Sequence, residues 1–137
     1  DDLSISNINT AGIPDNIMKT LILDIKFNED YFERVIHHEV FHIINDSFKD
    51  IFDEKIWSNF NKEGFEYAEC STCTNKLDLS LIKDTQGFLT EYSMATASED
   101  MAETFSFLMT NKKKLSEIIL DDTIISKKVS FSTSCCS

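Results

Sequence analysis

The pattern His38-Glu39-x-x-His42 constrains this chain more than any other feature, because it asks for a helix and gives one face of that helix a chemical task. Each residue of an α-helix advances by about 100°, so His38 and His42 stand about 40° apart, one turn above the other, with Glu39 beside them. This is the spacing at which a single helix offers two imidazoles to one metal ion, zinc above all. All three histidines of the 137 residues lie between positions 37 and 42. His37 lies about 100° round the helix from His38 and cannot share the same ion without distortion, so it reads as a supporting or surface residue.

A catalytic zinc takes three protein ligands and keeps a fourth position for water, whose pKa falls to around 7. Glu39 projects from the same helix and suits a general base that takes a proton from that water. With no histidine outside 37–42, the third ligand has to be a carboxylate or a cysteine. Glu99 is the leading choice, at the start of a helix expected over 98–110 in which Met101, Phe105, Leu108 and Met109 share one face and Glu99, Glu103 and Ser106 another. A second role competes for it: Thr96-Ala97-Ser98-Glu99 fits a capping box, in which the carboxylate would only satisfy a backbone donor.

The rest of the chain reads as follows. Residues 1–13 are an irregular lead-in ending at Gly12-Ile13-Pro14, and 15–19 suit a short helical turn. Residues 20–27 alternate apolar and polar as a strand does. Asn28 caps a helix running to about Asn45, whose arc of Phe32, Ile36, Val40, Ile43 and Ile44 is expected in the core while the histidine face looks into a cleft. A further helix is expected over 48–60, a loop region over 64–90, and helical pieces over 115–120 and 124–131. Lys112-Lys113-Lys114 suits a solvated helix end.

Composition excludes several classes. Thirteen basic against 24 acidic residues give a formal charge of −11, which repels nucleic acid, and no apolar run reaches the roughly 18 residues of a membrane span. Only three Gly and one Pro argue for one compact domain over 1–137. Cys70-x-x-Cys73 and Cys135-Cys136 fit two disulfides of a secreted or exported protein, free thiols with cytosolic residence, or a second, structural zinc.

His38-Glu39-x-x-His42 followed by Tyr92-x6-Glu99-Asp100-x-Ala102-Glu103-x-Phe105-x-x-Leu108-Met109 resembles the gluzincin metallopeptidases. Within them it is most similar to the catalytic domain of anthrax lethal factor and to the group described as putative zinc-binding metallopeptidases, with Trp57, Asn61, Gly64-Phe65 and Tyr67 as further echoes of the latter. The resemblance covers roughly residues 20–110. It implies an α+β, zincin-like domain, mainly helical with a small sheet, that binds zinc through His38, His42 and Glu99 and cleaves peptide bonds in peptide or protein substrates. Glu39 would be the general base, Tyr92 the stabiliser of the oxyanion and Glu103 a hydrogen-bond partner of a ligand histidine. Proteases of this kind commonly add an extended substrate to a sheet edge above the active-site helix. Phe41 stands where lethal-factor-like chains often have glycine, and the segment from Cys70 to Cys73 has no counterpart. A domain this small leaves room for neighbouring domains to complete the cleft. The alternative reading is a catalytically idle zincin-like domain that binds protein around a structural zinc; a zinc-free helical interaction domain is a further rival.

Overall fold

The computed structural model describes residues 4–5, 8–9, 11–24, 26, 29–75 and 77–134. Within them the chain is α+β: short antiparallel strands lead into five helices. Strands β1 (Ser4–Ile5) and β2 (Ile8–Asn9) pair with each other, and β3 (Gly12–Asp15) pairs with β4 (Thr20–Leu23) in the register Gly12↔Leu23 to Asp15↔Thr20. Residues 8–9 and 12–15 are thus strands where an irregular lead-in was expected.

The expected helical turn at 15–19 is the loop of this hairpin. Asp15 Oδ1 accepts the backbone N–H groups of Ile17 and Met18 at 3.0 and 2.8 Å, and Lys19 turns the chain back with φ 51°. An aspartate that bonds the backbone two and three residues on closes a turn as readily as it starts a helix. The expected strand over 20–27 ends at Leu23, with one further ladder bond from the Asp24 N–H to Ala11 O; Ile25, Phe27 and the proposed cap Asn28 lie outside the described residues.

Helix α1 (Glu29–Ser47) carries the histidines. Its inward face differs from the expected arc: Val35, His38 and Phe41 are buried together with Arg34 and Asn45, whereas Phe32, Ile36, Val40, Ile43 and Ile44 are half-buried. The hydrophobic pattern misleads because the buried stripe is shared with Arg34 and His38, whose partner Glu103 lies on the next long helix. Phe41, 1% exposed, is the central apolar anchor of this face and touches the rings of Phe52 and Phe105.

Only part of the expected 48–60 helix forms. Residues 48–52 are turns, after which the Asp53 side chain accepts the N–H groups of Lys55 and Ile56 and starts α2 (Glu54–Ser58), leaving Phe48 and Ile51 exposed. The segment between α2 and a single 3-10 turn at Tyr92–Met94 is largely irregular, with an isolated bridge between Leu81 and Thr90. It contains a disulfide between Cys70 and Cys73, which decides the first cysteine pair; Cys135 and Cys136 lie outside the described residues.

Helix α3 (Ala97–Thr110) is the hub. It packs against α1, α2, the 3-10 turn, α4 (Lys112–Asp121) and α5 (Thr123–Ser134). Nine of its fourteen residues are buried, Glu99, Asp100, Glu103, Thr104 and Ser106 among them, so its polar face is largely enclosed. One core cluster joins Phe41, Phe52, Trp57, Ala97, Met101 and Ala102; another joins Leu89, Phe107, Leu115 and Ile125. The three lysines 112–114 are exposed but open α4 rather than closing α3 at the dipole's favourable end.

Candidate metal centre

Helix α1 packs against α3, and the three donors foreseen from the sequence converge there. Glu99 Oε2 lies 2.8 Å from His38 Nε2 and 3.3 Å from His42 Nε2, and the two Nε2 atoms are 3.1 Å apart. Three ligand atoms at bonds of about 2.0–2.1 Å around a tetrahedral zinc stand about 3.3 Å from one another. The observed triangle is that size within about half an ångström, so the donor set fits zinc in both chemistry and spacing.

The far sides of both imidazoles are held. His38 Nδ1 donates to Glu103 Oε1 at 2.8 Å, and Ser98 Oγ lies 3.3 Å from His42 Nδ1. Partners on Nδ1 fix ring orientation and leave Nε2 for a metal. Glu103 is itself anchored: its other oxygen accepts from Arg34 and, at 3.0 Å, from Thr90 Oγ1. Arg34 lies one turn before His38, donates to Leu79 O at 2.8 Å and stacks its guanidinium over the Phe107 ring at 4.1 Å.

Glu99 takes part in the capping box through its backbone only, and its carboxylate caps no described donor. Its backbone N–H is capped by Thr96 Oγ1 at 3.2 Å, while its carboxylate faces the two histidines.

The electrostatics follow from burying two carboxylates around one imidazole. Burial pulls the His38 pKa down, but the hydrogen bonds and charges of Glu103 and Glu99 outweigh it and raise the group from 6.5 to about 10. Burial pushes Glu99 up, yet its bonds from His38 and His42 bring it well below the usual carboxylate range. Glu103 is lowered in the same way, with burial opposed by His38 and Arg34. Glu39 goes the other way: burial dominates and raises its carboxyl, against the neighbouring histidines.

Glu39 and Tyr92 share the site. A cleft of about 470 Å³ is lined by His38, Glu39, His42, Tyr92 and Glu99, and on its far wall by residues of β3. The Tyr92 ring stacks against His38 with centroids 5.8 Å apart. Burial and the charges of Glu99 and Glu39 push its phenol above the ordinary range, so it stays protonated and able to donate.

Behind the donors lies a network that the sequence did not disclose. Asp100 Oδ2, buried at 1% exposure, accepts from Trp57 Nε1 at 2.8 Å, Tyr67 Oη at 2.6 Å and Lys128 Nζ at 2.6 Å. Asn61 donates to Tyr67 Oη, and Lys128 also donates to Gly87 O. Trp57, Asn61 and Tyr67 were visible only as echoes of a family pattern; they share Asp100 as a direct or relayed partner. Arg34 had a usable signal, its place one turn before His38. Lys128 had none, since nothing in its neighbourhood distinguishes it from a solvated lysine.

A helix-borne histidine pair faced by a carboxylate from a second buried helix, open to a cleft with a carboxylic acid and a phenol beside it, is a donor set that could hold zinc. The family model described as "putative zinc-binding metallo-peptidase" matches residues 5–133, and the chain belongs to that family. No curated protein and no solved structure matches it.

Proposed function

We propose that the chain is a zinc-dependent endopeptidase of the gluzincin type, a zincin-like domain in which His38, His42 and Glu99 hold the ion. The observation that carries this reading is the gathering of the donor triangle, Glu39 and Tyr92 in one cleft. When bound, zinc supplies a Lewis acid for the scissile carbonyl and lowers the pKa of water at its open position.

The protein's own residues do the remaining work. Glu39 takes the proton from the attacking water and returns it to the leaving amine; its burial raises its basicity toward what that exchange requires. Tyr92 donates its phenolic O–H to the oxygen that becomes negative as the carbonyl is attacked, a stabilisation that grows in the transition state. Glu103, held by Arg34 and Thr90, keeps His38 in one tautomer and orientation. Strand β3, whose Gly12 and Pro14 line the cleft together with Asn16 just beyond it, is the edge beside which an extended peptide would lie.

The test is Glu39→Gln, which keeps the size and hydrogen-bonding reach of the side chain but removes its basicity. Zinc content and thermal stability should match wild type while hydrolysis of unfolded casein falls by about 10² to 10⁴-fold, the usual worth of a positioned base. Wild-type turnover in this variant would remove Glu39 from the mechanism, and an inactive wild type with full zinc would favour a protein-binding domain instead.

A further inference from the structure

Gly12 is the point at which β3 touches the machinery assigned above. Strand β3 lies against α1, and at Gly12 its backbone faces Glu39 with no side chain between them. A methyl group on Gly12 would stand 2.8 Å from Glu39 Cγ and 3.3 Å from its carboxyl carbon, with Leu23 Cδ2 at 3.2 Å. Carbon atoms prefer about 3.5–4.0 Å, so the first of these contacts is well inside the repulsive wall. Conformation gives no reason for glycine here. The glycines with positive φ are Gly64 and Gly87, and Gly12 is ordinary paired strand opposite Leu23.

The need is therefore for space, and the space is filled by the side chain proposed as the base. Packing against β3 limits where the Glu39 carboxylate can sit. If a side chain were added at position 12, two things could yield. The strand is tied to β4 through its register with Leu23, Ile22 and Leu21, whereas Glu39 has three rotatable bonds and an open cleft beside it. Glu39 yields first, and the fold survives.

We propose that Gly12 is a positioning residue for Glu39: the bare backbone of β3 is the wall that keeps this carboxylate in the cleft beside His38, His42 and Glu99. The proposal rests on the peptidase reading for its effect on catalysis, but the contact itself does not depend on it.

Two measurements on the full chain separate the claims. In the zinc-loaded protein, Gly12→Ala should lower kcat for casein hydrolysis about a hundredfold, the scale set by a displacement of about 1 Å, with KM and zinc affinity within about twofold of wild type. Thermal unfolding of a double-mutant cycle gives the second readout. Gly12→Ala should lower the unfolding midpoint when Glu39 is present and leave it unchanged or higher in the Glu39→Ala background, where the methyl group has room. Wild-type kcat in Gly12→Ala, or thermal shifts that simply add, would overturn the proposal. If the wild-type protein hydrolyses nothing, the peptidase reading fails, and the thermal cycle alone decides whether Gly12 sets the place of Glu39.

Discussion

In the proposed zinc site Glu99 serves folding and chemistry at once. Its N–H is held by the Thr96 hydroxyl, which starts α3 in register, and that register aims its carboxylate at the imidazoles of α1. The two functions can be taken apart by substitution. Glu99→Ala keeps the backbone N–H and so keeps the cap, but removes a metal donor. Circular dichroism should be unchanged, while zinc affinity should fall by more than the roughly 10- to 100-fold that loss of an outer partner costs. Zinc retained through dialysis in this variant would leave Glu99 with the cap alone. At this scale the sequence was most informative for His38, Glu39 and His42, because three residues within five are bound by helical geometry alone. Asp100 had no role foreseen because a charged residue in a helix ordinarily faces water, and only the tertiary contact shows that this one does not.

Among the elements, α3 explains both what pattern reasoning recovered and what it lost. Its span was legible from the spacing of Met101, Phe105 and Leu108, yet its surroundings were not: a helix packed on several sides must bury polar residues, and those pair with distant segments. Asp100 and Lys128 illustrate the cost. Both side chains are 1% exposed and 2.6 Å apart, so removing one charge strands the other in the core. Lys128→Met should destabilise the protein by about 3 to 5 kcal/mol, measured by urea unfolding, because the Asp100 carboxylate loses its ionic partner. A change below about 1 kcal/mol would mean that Trp57 and Tyr67 satisfy Asp100 by themselves. Strand β3 was lost for a different reason, although its partner β4 was legible within 20–27: Pro14 and Asp15 advertise a turn more strongly than a strand.

The molecule as a whole carries a charge of −11, but the site concentrates the question of charge at one imidazole. Without metal, His38 is held protonated between Glu99 and Glu103, with a pKa near 10 against an ordinary 6.5. A group whose folded pKa is raised stabilises the fold fully below its unfolded value and loses that contribution as pH rises through the folded one. The metal-free protein should therefore lose stability between about pH 6.5 and 10. Glu99, whose pKa is depressed, has the opposite sign and its contribution fades only as pH falls below its ordinary 4.5. Zinc needs a neutral imidazole, so binding near pH 7.5 should release about one proton from His38, read by calorimetry in buffers of different ionisation enthalpy. Zinc uptake without proton release would contradict the charge state assigned to the empty donor set.

The proposed activity depends on one placement, that α1 and α3 together hold a single zinc ion. Anomalous scattering from a zinc-loaded crystal measured on both sides of the zinc edge tests it directly. One peak is expected within about 2.0–2.2 Å of His38 Nε2, His42 Nε2 and a Glu99 oxygen. A peak that leaves Glu99 outside bonding distance, or a well-ordered site with no peak in zinc-replete protein, would contradict it.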